Sequence, residues 1–247
     1  MTGPLGNRTV LVTRAEEDAG PWVAALEARG ARVEVLPCIR CEPIRDPETA
    51  AGLRTSLETA DWLVLTSRRG VEATAEITSG ASGVGDSVRI AVVGPATERE
   101  ALERFGRVDL RAERGTGEAL ARDLAARLEG AGPKRLVVAA ADRARRHLED
   151  VLGPAGHDVV RVAVYRTVPA PPRSPRVDLG SLGVDTILLA SPSAVEGLLH
   201  QAEFSRESTS IFSIGPSTTE AARAAGLEVT GEADRPTLEG LLEVIQP

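Results

Sequence analysis

The sequence predicts an α/β protein built from parallel βαβ units, and three observations carry that expectation. Short aliphatic runs of strand length alternate with helix-patterned stretches of about 10–15 residues. Glycines stand where those helices have to stop, and the whole pattern occurs twice along the chain.

The strand candidates are Val10–Thr13, Val33–Leu36, Trp62–Thr66, Ile90–Val93, Leu136–Ala139, Val159–Val164, Thr186–Ala190 and Ile211–Ile214. Gly30, Gly106, Gly156 and Gly226 each follow a helical pattern and precede a strand or loop, where a left-handed cap suits glycine.

The repeat has two registers. The segment VLVTRAEEDAGPWVAALEARGARVEVL from Val10 resembles LVVAAADRARRHLEDVLGPAGHDVVRV from Leu136, with Gly30 matching Gly156 at an offset of 126. Further on, DWLVLTSRRGVEA from Asp61 resembles DTILLASPSAVEG from Asp185, and IAVVGPATEREA from Ile90 resembles IFSIGPSTTEAA from Ile211. Thr116, Glu118 and Leu120 then match Thr237, Glu239 and Leu241. Several matches in one order and at nearly constant offset point to internal duplication, in the order a, b, a′, b′. The repeat leaves two closures open: residues 1–128 against 129–247, or a crossover in which a joins b′ and b joins a′.

Composition narrows the function classes. Hydrophobic residues make up 42% and charged residues 26%, which is globular rather than disordered. Aromatic residues are only 2%, too few for a base-stacking face or a membrane belt. A formal charge of -7 argues against general nucleic-acid binding, although 29 basic residues with Lys134 as the only lysine keep forked arginine recognition of carboxylates available. No apolar run reaches the ~18 residues of a membrane span, and Met1–Arg8 lacks the apolar stretch of a signal peptide, so a cytoplasmic location with no membrane partner is expected. Cys38 and Cys41 cannot staple a chain of this size. As an extended C-x-x-C followed by Pro43, their Cα atoms would lie about 10 Å apart, too far for a disulfide, and no further Cys or His stands near enough for zinc. His147, His157 and His200 are scattered and are expected at the surface.

In a parallel sheet, ligands bind at the turns beyond the carboxyl ends of the strands. Those turns read Thr13-Arg14, Thr66-Ser67-Arg68-Arg69, Gly94-Pro95-Ala96-Thr97, Ala139-Ala140-Ala141-Asp142-Arg143, Ala190-Ser191-Pro192-Ser193 and Gly215-Pro216-Ser217-Thr218-Thr219. Small and hydroxylated residues there leave helix N-terminal amides open to an anion, and Arg14, Arg68 and Arg143 point to a multi-carboxylate or phosphate ligand. For any single turn the competing role of Ser or Thr is plain N-capping. Gly83-Val84-Gly85 and Gly115-Thr116-Gly117 lack the remaining features of a dinucleotide site.

Taken together, VLVTR, LTSRRGVEA, AVVGPATE, GTGEALA, VAVYRTVPA, ASPSAVEG, SIGPSTTEAA and PTLEGLLEVI resemble the uroporphyrinogen-III synthase family over nearly the whole chain. The resemblance implies two parallel-sheet α/β lobes in the crossover arrangement. Residues 1–37 with 171–247 would form one lobe and 42–164 the other, joined by extended linkers at 38–41 and 165–170, with the site in the cleft between lobes. The proline cluster Pro169, Pro171, Pro172 and Pro175 independently suits a linker.

The resemblance also implies a lyase reaction without cofactor or metal. Linear hydroxymethylbilane, with eight carboxylates, loses its hydroxyl to give an azafulvene and closes through a spiro intermediate to uroporphyrinogen III, with its last ring inverted. By position, Thr66, Ser67, Thr97, Ser191, Ser217 and Thr218 would bind carboxylates, partly through backbone, alongside Thr13, Arg14, Arg68 and Arg143. Tyr165, the only tyrosine, falls on the family's linker tyrosine and would help the hydroxyl leave. Ala190 departs from the threonine common among relatives. A monomer is expected, with at most transient contact with the preceding pathway enzyme. The reading from another class is a two-lobed binding or regulatory protein that senses an anionic metabolite without turning it over.

Overall fold

The structure is a computed structural model, and it describes residues 4–79 and 83–245. Residues 1–3, 80–82 and 246–247, which fall within the expected lobes, lie outside the described residues.

The chain begins with β1 (Thr9–Val12), α1 (Glu16–Glu27), β2 (Arg32–Val35), β3 (Ile39–Pro43) and α2 (Pro47–Glu58). A run of β4 (Trp62–Leu65), α3 (Arg68–Thr78), β5 (Arg89–Val92), α4 (Pro95–Phe105), β6 (Leu110–Arg111) and α5 (Gly117–Leu128) follows. Then come β7 (Arg135–Ala141), α6 (His147–Leu152), β8 (Asp158–Pro169) and the short β9 (Val177–Asp178). The last part is β10 (Thr186–Leu189), α7 (Pro192–Gln201), β11 (Ala202–Glu203), β12 (Ser210–Ser213), α8 (Pro216–Ala224), β13 (Gly231–Glu232) and α9 (Leu238–Ile245).

The described chain divides into two compact units, one of Met1–Arg40 with Thr167–Pro247 and one of Cys41–Arg166. The chain passes from one to the other within β3 and again within β8. The first unit holds a five-stranded sheet in the order β13-β12-β10-β1-β2, with β9 and β11 as a separate pair. The second holds a six-stranded sheet in the order β3-β8-β7-β4-β5-β6.

The duplication explains both orders. β1 and β2 match β7 and β8, while β10, β12 and β13 match β4, β5 and β6, so each sheet repeats one strand sequence of the other. Each sheet is also assembled from one a-type and one b-type segment taken from opposite halves of the chain. β1 pairs parallel with β10 (Leu11 beside Ile187) and β7 parallel with β4 (Val138 beside Val64), which is the crossover closure.

These strands form because both of their faces are apolar and both are covered. In the second unit Leu63, Leu65, Ile90, Val92 and Val137 pack on one side of the sheet, and Trp62, Val64, Ala91, Leu136 and Val138 on the other. Strands buried on both faces read as unbroken apolar runs rather than alternating ones, which is why they stand out in the sequence. The first unit repeats the arrangement, with Leu11, Ile187 and Ile211 on one face and Val10, Val12, Leu188 and Phe212 on the other. The four predicted stop glycines all have positive φ, from 73° to 88°.

The segments expected as extended linkers, 38–41 and 165–170, overlap β3 and β8, which are extended strands lying side by side in the second sheet. One expectation needs correcting. His147, His157 and His200, expected at the surface, are all half-buried. The Nδ1 of His157 accepts from the Lys134 amide at 3.2 Å, and that of His200 lies 3.2 Å from the Ala170 carbonyl.

Candidate functional site

Five of the turns singled out in the sequence lie at the carboxyl ends of strands and lead into helices. By contrast β7 runs on through Ala141 and α6 begins only at His147, so Ala139–Ala141 are strand and not turn. In the second unit β4 runs into Ser67, whose extended backbone lets its Oγ accept from the Gly70 amide at 3.0 Å and cap α3. The same hydroxyl donates to the phenol oxygen of Tyr165 at 2.9 Å. Two residues 98 positions apart are thereby joined.

Tyr165 reaches that position through a bulge in β8. The register with β7 runs from Ala140 beside Ala163 to Ala141 beside Tyr165, passing over Val164. Strict alternation would send 164 and 165 to opposite faces. With one residue unpaired, buried Val164 and half-buried Tyr165 both pack against the core that contains Leu65 and Ala139. Backbone bonds fix the distortion, since Ile44 donates to the Val164 carbonyl at 2.9 Å and Asp142 to the Tyr165 carbonyl at 3.0 Å.

The other turns divide by who caps the helix. Ser191 caps α7 by accepting from the Ala194 amide at 3.2 Å, with its Oγ also 3.2 Å from that of Ser193. Thr116 caps α5 in the same way. For these hydroxyls N-capping is the observed role. By contrast α4 and α8 begin at Gly94 and Gly215, which carry no capping side chain, with Pro95 and Pro216 in the first turn. Helix N-termini left without a cap are the better anion sites of the set.

Several expected side chains face inward instead. Thr13 is fully buried and its Oγ1 donates to the Leu188 carbonyl at 2.6 Å, so it serves the β1–β10 junction and offers no hydroxyl to a ligand. Thr97 and Thr218 are 4% and 1% exposed, so these turns present backbone rather than threonine hydroxyls. Ser217 is exposed, and Thr66 is half-buried at the end of β4.

The three arginines differ. Arg14 lies over the Trp22 ring at 5.2 Å and 3.5 Å from Asp18, so α1 holds it in place. Arg68 pairs with Glu72 at 3.4 Å on an exposed face, an interaction of little weight. Arg143 is 84% exposed, with Asp142 only at 4.0 Å. Sequence reading passed over its neighbours Arg145 and Arg146, both exposed in the same turn, whose backbone is held where Arg161 donates to the Arg145 carbonyl at 3.0 Å. The signal was present as a run of three arginines in four positions. Arg161 also clamps Glu149 through two bonds. Burial pushes the Glu149 carboxyl up, but the Arg161 bonds and charge outweigh it and hold the group below its ordinary range.

Among the described residues no group of three or more His, Cys, Asp or Glu could hold a metal ion, and no helix is long and apolar enough to cross a membrane. Cys38 is buried, and burial pushes its thiol up to about 12, while Cys41 is half-buried. Both are reduced.

The molecule has relatives over its whole length. It is 29% identical over 245 residues to the chloroplastic uroporphyrinogen-III synthase of Oryza sativa subsp. japonica, a match covering 96% of this chain and 79% of the relative. It is 27% identical over 257 residues to the uroporphyrinogen-III synthase of Synechococcus elongatus, covering 98% and 96%. Among solved structures, uroporphyrinogen-III synthetase from Helicobacter pylori superposes with a TM-score of 0.57 at 16% identity, covering 96% of this chain and 98% of that one. A mutant uroporphyrinogen III synthase from the extremely thermophilic bacterium Thermus thermophilus gives 0.52 at 20%, covering 96% and 97%. These two show the shared fold. The family model for uroporphyrinogen-III synthase HemD matches residues 20–243, and the chain belongs to the uroporphyrinogen-III synthase family.

Proposed function

We propose that this protein cyclises hydroxymethylbilane to uroporphyrinogen III, with inversion of the last pyrrole ring and loss of water. Family membership over residues 20–243 is the observation that carries the reading. In the proposed chemistry Tyr165 gives its proton to the departing hydroxyl, so the C–O bond breaks and water leaves. The electron pair of the pyrrole nitrogen fills the resulting deficiency as an azafulvenium. Attack by the last ring, fragmentation of the spiro intermediate and reclosure follow, and the proton released on rearomatisation restores the phenol.

In this reading the carboxylate-binding groups of the second unit are the uncapped amides at the start of α4 with Arg68, Arg143 and their neighbours, and those of the first unit are the uncapped amides at the start of α8 with Ser217. A charge of -7 does not oppose this, because screening over about 8 Å weakens distant repulsion while amides and arginines act in contact. Much of the acceleration would come from holding one folded conformer of the substrate, a positioning effect.

The deciding experiment supplies freshly generated hydroxymethylbilane and separates the type I and type III isomers. Type III in excess of the spontaneous product supports catalysis. Type I alone, with tight binding of the linear tetrapyrrole, would instead establish a binding or sensing protein. A cytoplasmic location and a monomeric state belong to the same proposal, and light scattering at working concentration checks the latter.

A further inference from the structure

We propose that Ser67 is a positioning residue for Tyr165, fixing the direction in which the phenol offers its proton by donating to the phenol oxygen. The inference rests on Tyr165 being the proton donor and adds how that donor is aimed.

A backbone amide can only donate, so Ser67 Oγ accepts where it meets the Gly70 amide at 3.0 Å. The geometry between the two hydroxyls makes Ser67 Oγ the donor to Tyr165 Oη at 2.9 Å, and the phenol accepts there. A phenol has one proton, and with one side of its oxygen taken by Ser67 that proton points elsewhere. The chain from the Gly70 amide through Ser67 to Tyr165 starts at the positive end of α3, and each bond polarises the next.

Two neighbours keep the chain in place. A Cβ on Gly70 would lie 3.1 Å from the Ala139 carbonyl oxygen and 3.3 Å from Ser67 Oγ, so the absence of a side chain lets α3 approach β7 with the hydroxyl correctly placed. The bulge at Val164 brings the phenol to the core side shared with β4 and α3. The duplication supplies an internal control. Ser191 caps α7 as Ser67 caps α3, yet its hydroxyl neighbours Ser193, and the residue matching Tyr165 is Ile39. Capping therefore needs no phenol, and the pairing with one belongs to the second unit alone.

The test compares Ser67→Gly, Ser67→Thr, Tyr165→Phe and the Ser67→Gly/Tyr165→Phe double variant. Glycine is accepted at an N-cap almost as well as serine, so Ser67→Gly removes the hydroxyl with the helix intact. The expected result is a kcat about three- to tenfold lower at unchanged KM, with more type I product, as a fraction of the roughly 10²–10⁴-fold that a general acid supplies. Ser67→Thr restores both. Because the protein has one tyrosine, the Raman Fermi doublet of that residue reports the bond directly at neutral pH. It should move in Ser67→Gly and return in Ser67→Thr.

In the Tyr165→Phe background, Ser67→Gly should cost nothing further. If it costs its full factor there, or raises KM with kcat unchanged, Ser67 meets the substrate itself and the positioning role is wrong. An unmoved doublet overturns it equally. If Tyr165→Phe keeps full rate and isomer purity, what fails is the assignment of Tyr165 as the acid.

Discussion

The carbonyl oxygen of Cys38 takes the space that a side chain on Gly197 would need: a Cβ built on Gly197 lies 1.7 Å from that oxygen and 2.7 Å from its carbon. The same carbonyl accepts from the Ala170 amide at 2.8 Å, so it is held from both sides and cannot yield. The first helical turns of α7 thus pack directly on the backbone just before β3. Gly197→Ala is expected to lose about 1–3 kcal/mol through overpacking, read as a fall in the urea midpoint. Gly20→Ala in α1 is the control, because nothing lies within 4 Å of a Cβ there. It should gain about 0.5–1 kcal/mol of helix propensity.

Tyr165→Phe keeps the ring packed against its core and removes only the proton. Formation of type III product should slow at least about tenfold, with type I rising as spontaneous closure competes, and the unfolding midpoint unchanged. Unaltered rate and purity in Tyr165→Phe, with loss of both in Tyr165→Ala through lowered stability, would make the residue structural.

Arg143 and Arg14 should behave differently despite their equal standing in the sequence. Arg143→Ala removes an exposed charge and is expected to raise KM, by roughly the 1.5–3 kcal/mol of a charge-assisted bond, and to flatten its dependence on salt. Arg14→Ala removes a side chain stacked on Trp22, so its main effect should be on stability. An unchanged KM for Arg143→Ala together with Arg68→Ala would leave the backbone amides at the start of α4 as the carboxylate contacts of the second unit.

The two thiols should separate by reactivity. Burial holds Cys38 at about 12, so at neutral pH it stays protonated and shielded and should react with a disulfide reagent only as fast as the protein opens. Cys41, half-buried on β3, should react first. Cys41→Ser should leave turnover within a few-fold of the parent, and a dependence of activity on thiol redox state would contradict this.

Acid should destabilise the protein partly through Asp61. Its carboxylate accepts from the Arg135 amide at 2.8 Å, the largest influence; burial opposes it, and Lys134 at 3.0 Å adds to the lowering. A lowered folded-state pKa contributes stability above the unfolded value of about 3.9, lost as pH falls through the folded pKa. Asp61→Asn should therefore be less stable near neutrality and show a shallower loss between neutrality and strong acid. Parallel curves would show that the group contributes nothing to the pH dependence.

Sequence alone determined the eight main strands, the duplication and most of the turns that open the helices, while the edge strand β3 and the two-residue strands β6, β9, β11 and β13, which carry no apolar run, were left to the structure. Strands covered on both faces must be apolar throughout, and runs such as Trp62–Leu65 and Thr186–Leu189 are visible without any partner. The choice between the two closures was left to tertiary structure, because β1 and β7 carry matching apolar patterns and either could have paired with β4 or β10. Which threonines face ligand was likewise not written locally. Thr13, Thr97 and Thr218 occupy turns that read as accessible, and only the packing of each helix on its sheet buries them. The bond from Ser67 to Tyr165 was the least legible feature. It spans 98 residues and depends on one unpaired residue in β8, and a bulge comes from how two strands register against each other, a property neither strand possesses by itself.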